Sequence, residues 1–370
     1  MTNEPISGIR IAFARAILAA MVLFSIRPAG AADQKGAKPD ATATKPPIPM
    51  IIDVDMESDC DDAGALAMAH ALADQGECEI LAILSCSRHR WTVPCIDAIN
   101  TYYGRPNLPI GQVAKGVDQD SRYARYVAEH FPNDCTRESA VEAVSLQRRL
   151  LAGAKDGSVV FVTLGYLTNQ RDLLASGPDE HSPLGGRDLV RQKVKALVSM
   201  GSRYPADTAP PQKTQAGAWG NFRPDPQSAI TVTEQWPTLI HFTGGGEFAM
   251  RCGSGERLHE TPESNPVRKV YELFFAGRSP AATSTRQHSA DQVAVWIAVR
   301  GIEPFFRVVT EGHNEIDVYG RNAWKPSPDD SRQQYTSDFT DGVDPTAASE
   351  AFNELMNRPP ARRSAAPDRP

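Results

Sequence analysis

The chain has 370 residues, 41% of them hydrophobic and 23% charged, so a packed globular core is expected, as one large α/β domain or two ordinary ones. Its formal net charge of −6 gives no general attraction to nucleic acid or anionic lipid. A small, neutral or weakly charged partner fits better.

Arg10 and Arg15 precede an apolar run from Ala16 to Ile26, and small residues follow at Ala29-Gly-Ala-Ala32. A charged region, a short apolar region and an A-x-A-like site describe a secretory signal, and the run is short for a membrane span. Residues 1–32 are therefore expected to be a cleaved signal peptide, and the mature protein to be soluble and periplasmic or secreted. Residues 33–48, rich in Lys, Ala, Thr and Pro, read as a linker. Export permits disulfides, but the six cysteines form no C-x-x-C pair and a chain of this size needs no staples.

Pro49 to Asp53 reads as a buried strand and ends in an acidic loop. Ala63 to Ala73 then reads as a helix, Glu79 to Ser85 as a strand, and Val93 to Tyr103 as a helix stopped by Gly104. This alternation predicts an α/β fold with an open, mostly parallel, Rossmann-like sheet and helices on both faces. It continues with a helix over 138–154, a β-branched strand over 158–164, strands over 194–200 and 238–243, a Gly244-Gly-Gly246 loop and a helix over 292–300. Residues 303–343 read as polar and loop-rich, and 347–356 as a closing helix. There is no internal repeat, so 49–357 is expected to be one catalytic domain and 358–370 a disordered tail.

The loop Asp53-Val-Asp55-Met-Glu57-Ser-Asp59-Cys-Asp61-Asp62 places six carboxylates in ten residues, between a strand and a helix. One or two would serve as helix caps. Six crowd like charges, which repel or push pKa values up unless a cation relieves them. Hard oxygen ligands suit Ca²⁺ or Mg²⁺ rather than zinc. An EF-hand does not explain the loop, because Ser58 stands where Gly is required and Gly64 where the bidentate Glu belongs. A phosphotransferase loop of the haloacid-dehalogenase type fails at Glu57, where Thr or Val is needed.

The loop resembles the hallmark of the inosine–uridine-preferring nucleoside hydrolase family, a strand, D-x-D, a small turn and D-D-A-x-A-L opening a helix. Asp53, Asp55, Asp59, Asp61, Asp62, Ala63, Ala65 and Leu66 fit its longer version, while Glu57 occupies a Gly position. Three later segments match in order. Leu164-Gly-Tyr-Leu-Thr-Asn169 resembles G-P-L-T-N, with Tyr166 in place of Pro. Ala218-Trp-Gly-Asn221-Phe-Arg-Pro-Asp225-Pro resembles A-E-F-N-x-x-x-D-P, with Trp219 in place of Glu. Ala290-Asp291-Gln-Val-Ala-Val resembles the late D-x-x-A-V segment.

The resemblance implies calcium-dependent hydrolysis of the N-glycosidic bond of a ribonucleoside, giving ribose and a base, through an oxocarbenium-like state. It implies Ca²⁺ held by Asp55, Asp62 and Asp291 through side chains and by Thr168 through its carbonyl. Asp55 would also act as general base, Asp61 and Asn221 would hold ribose hydroxyls, and Asp53 would orient the loop. Trp219 and Arg88 are further candidates for substrate contact, with Arg90 and Trp91 beside Arg88. His288 or His89 could serve the leaving base, His288 only if the backbone bends. Asp59 is either a ribose contact or a cap. Family members often form homodimers or tetramers. Alternatives are a calcium-containing nucleoside- or ribose-binding protein without turnover, or a hydrolase of another riboside.

Overall fold

A computed structural model describes residues 45–57, 59–203, 220–276, 286–330 and 332–361. The expected signal peptide, most of the linker, Trp219 and the end of the tail lie outside the described residues. Strand β1 (Ile48–Val54) leads through the acidic loop to α1 (Asp61–Asp74), β2 (Cys78–Ser85), α2 (Thr92–Tyr102), β3 (Ile110–Gln112), α3 (Ala124–His130), β4 (Val141–Glu142), α4 (Ala143–Gly153) and β5 (Val159–Thr163). Then come α5 (Thr168–Ala175), α6 (Gly186–Lys193), β6 (Val194–Met200), α7 (Pro226–Gln235), β7 (Leu239–Thr243), α8 (Gly246–Arg251), α9 (Pro266–Phe275) and α10 (Ala290–Arg300). The order closes with β8 (Phe306–Val309), β9 (His313–Ile316), β10 (Asn322–Lys325), β11 (Gln333–Phe339) and α11 (Pro345–Met356).

Nine strands form one sheet in the order β4-β3-β2-β1-β5-β6-β7-β11-β8. Its pairings are parallel except at the edge, where β8 runs antiparallel to β11. Alternate residues of the central strands serve opposite faces. Met50, Ile52 and Val54 of β1, with Val160 and Val162 of β5, pack under α1, α2, α9, α10 and α11. Ile51, Val159 and Phe161 pack on the other side, under α4, α5, α6 and α7. The expected doubly covered, mostly parallel α/β sheet is what the chain forms.

Two expectations are corrected. Residues 303–343, expected as polar and loop-rich, also hold four strands: β11 enters the sheet between β7 and β8, while β9 and β10 form a separate antiparallel hairpin. The helix expected over 138–154 begins only at Ala143, because Val141–Glu142 pairs with Gly111–Gln112 as an edge strand and Glu142 caps the helix through Ser145 N.

Helix α1 is buried from Asp61 through Leu72, apolar or small on nearly all sides, as a helix enclosed by neighbours must be. Gly64 lets α10 and α11 close on it: a Cβ there would lie 2.3 Å from Gln292 Nε2 and 2.9 Å from Met356 Cε. All six cysteines are free, and Cys60 is a small buried core residue. Among the described residues no helix is long and apolar enough to cross a membrane.

After β1 the chain builds outward through β2, β3 and β4, then returns to the other side of β1 with β5. The carboxyl ends of β1 and β5 thus flank the point where strand order reverses, the place where an open α/β sheet leaves a crevice for a ligand.

Candidate functional site

Asp53, the last residue but one of β1, is fully buried. Its carboxylate accepts hydrogen bonds from Asn169 Nδ2 at 3.0 and 3.1 Å and from Gln170 Nε2 at 2.8 Å, so it ties the acidic loop to α5. Burial pushes its pKa up to about 7, against the pull of those two amides. Asp55 follows, and its Oδ1 accepts the Glu57 N–H at 3.1 Å. Between them in the turn, Met56 sits at φ 56°, a left-handed conformation unusual for a residue with a side chain. Gly165, just past β5, is where this turn meets the next strand: a Cβ there would lie 2.6 Å from Cys86 Sγ and 2.9 Å from Asp55 Cβ. A side chain at 165 would displace the loop.

Asp61 and Asp62 occupy the first turn of α1, and Asp291 the first turn of α10. Two positive helix ends therefore converge on these carboxylates, which offsets part of the cost of burying them. The offset is incomplete. Burial first, and then neighbouring carboxylates, hold Asp55, Asp62 and Asp291 well above the ordinary carboxyl range. Oδ1 of Asp62 is buried with no hydrogen-bond partner among the described residues. An orphaned carboxylate oxygen among crowded acids is the donor set a hard divalent cation requires, so the residues present fit such an ion.

His288 reaches this cluster from the chain just before α10. Gln287 bridges to Ser254 and the Ser289 N–H bonds to Ala249 O at 3.1 Å, a bend that turns His288 onto the acidic loop. Its Nε2 lies 3.2 Å from Asp59 Oδ2 and its Nδ1 3.1 Å from Asp61 Oδ2. The second contact is an ion pair rather than an aligned hydrogen bond. Burial alone would lower the His288 pKa, but Asp61 and Asp59 raise it to about 11. Asp61 is correspondingly held below the ordinary range, against its burial, by His288. Burial and Asp61 push Asp59, 30% of whose side chain is exposed, up to about 7. Asp59, Asp61 and His288 each have a ligand atom within 4.8 Å of the others, near enough to share an ion. Protonated, the imidazole is the counter-charge to both carboxylates, and deprotonated it has a lone pair to give such an ion.

The other expected residues are placed as follows. Asn221 donates from Nδ2 to Leu164 O at 2.8 Å and Met200 O at 3.1 Å, at the ends of β5 and β6. Thr168 is the first residue of α5, and its hydroxyl donates to Asp225 Oδ2 at 2.6 Å. Asp225 is the N-cap of α7. Arg88 is exposed, with only its backbone fixed, N–H to Val117 O at 2.8 Å. Arg90 and Arg125 lie over the Trp91 ring at 4.7 and 5.9 Å, so that ring is engaged within the chain. His89 faces the exposed Asp120 at 3.5 Å rather than the acidic cluster.

No family model and no curated protein matches the chain in sequence. Solved structures do match in fold. A purine-preferring ribonucleoside hydrolase from Gardnerella vaginalis superposes with a TM-score of 0.59 at 15% identity, over 84% of this chain and 98% of its own. An inosine–uridine-preferring nucleoside hydrolase from Bacillus anthracis gives 0.59 at 13%, over 84% and 99%. The type III effector protein XopQ, solved with adenosine diphosphate ribose, gives 0.61 at 15%, over 85% and 94%. At such identities the likeness establishes the fold, and the fold of this chain is that of the nucleoside hydrolases.

Proposed function

We propose that this protein is a hydrolase of N-glycosidic bonds that acts on ribonucleosides and uses a divalent cation, calcium. The observation that carries the reading is the buried group Asp55, Asp62 and Asp291. It has no cationic side chain in ion-pair contact among the described residues, and it sits at the switch point of a sheet with the nucleoside hydrolase fold. These three side chains would hold the cation, with the Thr168 carbonyl as a further oxygen donor. When bound, the cation supplies positive charge that orients ribose hydroxyls and acidifies a water.

The chain's own residues supply the rest. Asp55 is the general base for the attacking water. Asp61 and Asn221 hold ribose hydroxyls, and the surrounding carboxylates stabilise the positive charge that develops on the sugar. His288, kept protonated between Asp59 and Asp61, can donate to the departing base. Asp53 orients the loop through Asn169 and Gln170. Arg88 is proposed as a further substrate contact, and Trp219, outside the described residues, stays a candidate for one. Export and cleavage of residues 1–32 belong to the same proposal, as does a small nucleoside as partner.

The test is release of reducing sugar from a panel of ribonucleosides, with and without a chelator. Calcium-restored release supports the reading. Binding of nucleoside without release would favour a binding protein, and release only from an aryl riboside would favour another riboside as substrate.

A further inference from the structure

Two departures from the family pattern, Glu57 in place of Gly and Tyr166 in place of Pro, meet in one contact. Tyr166 Oη donates to Glu57 Oε2 at 2.5 Å. The other oxygen, Oε1, accepts from Ser87 Oγ and from the Gln119 N–H at 3.2 Å. Glu57 is 1% exposed, Tyr166 3% and Ser87 0%. One buried carboxylate thus fastens the loop after β1 to the segments after β5 and β2 and to the chain at 119. Ser87 is itself fixed, accepting the His89 N–H at 3.0 Å.

Both Glu57 oxygens accept from donors of the chain itself. The Glu57 backbone N–H in turn holds Asp55 Oδ1. The left-handed Met56 lies between these two residues. A non-glycine residue is strained in that conformation and persists only where its surroundings over-determine it. The three donors to Glu57 provide that constraint.

We infer that Glu57 is a positioning residue: clamped by Tyr166, Ser87 and Gln119, it holds the Met56 turn and sets the orientation of the Asp55 carboxylate. Partners of metal-holding carboxylates act in this way, and losing one lowers metal affinity on the order of tenfold. The inference rests on the cation reading above.

Tyr166→Phe is the sharpest probe, because it removes one donor and changes neither charge nor ring. Ser87→Ala removes a second donor and serves if the first variant does not fold. Calcium affinity by titration and amide hydrogen exchange over 55–62 are compared with wild type on the full chain. The clamp predicts on the order of tenfold weaker calcium binding and faster exchange in that loop, with exchange in α2 and α7 unchanged. Equal affinity and equal loop exchange, even with a lowered melting temperature, would overturn it. If wild type itself binds no calcium, the cation reading fails, and loop exchange alone decides the clamp.

Discussion

Helix α1 carries ionisable groups at both ends, and the two ends treat them differently. At the carboxyl end, Arg105 donates to Asp74 Oδ1 at 2.6 Å and lies 3.3 Å from His70 Nδ1. The other ring nitrogen of His70 meets Asn100 Oδ1 at 3.0 Å, and the ring stacks on Tyr103 with centroids 4.8 Å apart. Opposite charges and hydrogen-bonding partners are matched there. At the amino end, Asp55, Asp61, Asp62 and Asp291 are buried together, with His288 the one cationic side chain in ion-pair contact among the described residues. Burying an unpaired charge is costly, and one end of this helix shows the chain can pair such charges. We propose that the acids left unmatched at the other end are completed by a bound cation.

The largest test of that contrast is Asp62→Ala. It should abolish the calcium-dependent rise in stability, which for wild type is about 2.7 kcal/mol at a hundredfold excess over Kd, together with sugar release. Unchanged metal content in the variant would remove Asp62 from the donor set. At the other end, Arg105→Ala removes the donor to half-buried Asp74 and should cost about 1–3 kcal/mol in denaturant unfolding, with calcium affinity unaltered. If affinity moved as well, the two ends would not be independent.

A graded effect follows from pH. Asp53 and Asp59 titrate near 7 in the folded chain against an ordinary 3.8, so the folded state holds more protons than the unfolded one across that window. Their contribution to stability therefore falls as pH rises from about 4 to about 7. His288, raised to about 11 from 6.5, contributes stability that is complete below 6.5 and lost as pH climbs toward 11. In chelator the protein should thus melt at a lower temperature at pH 8 than at pH 5, and calcium should flatten the difference. A rise in stability over that range without calcium would show that the acids are not crowded as described.

Much of the amino end of α1 was legible in the sequence, because a β-branched strand running into six carboxylates is a strong local signal and Asp291 opens an apolar helix in the expected order. The parts that depend on distant pairing were not. Strand β11 reads Gln333-Gln-Tyr-Thr-Ser-Asp-Phe339 and carries polar residues on a strand that becomes interior to the sheet, so nothing local marks it. The position of His288 follows from the Ser254–Gln287 bridge. Glu57 and Tyr166 read as two separate anomalies until the fold brought their side chains together.

Calcium titration by calorimetry at pH 7, in two buffers of different ionisation enthalpy, tests the central claim most directly. Saturable binding accompanied by net proton release is predicted, because the crowded carboxyls must give up protons to ligate the ion. Absence of binding, or binding that persists undiminished in Asp62→Ala, would contradict it.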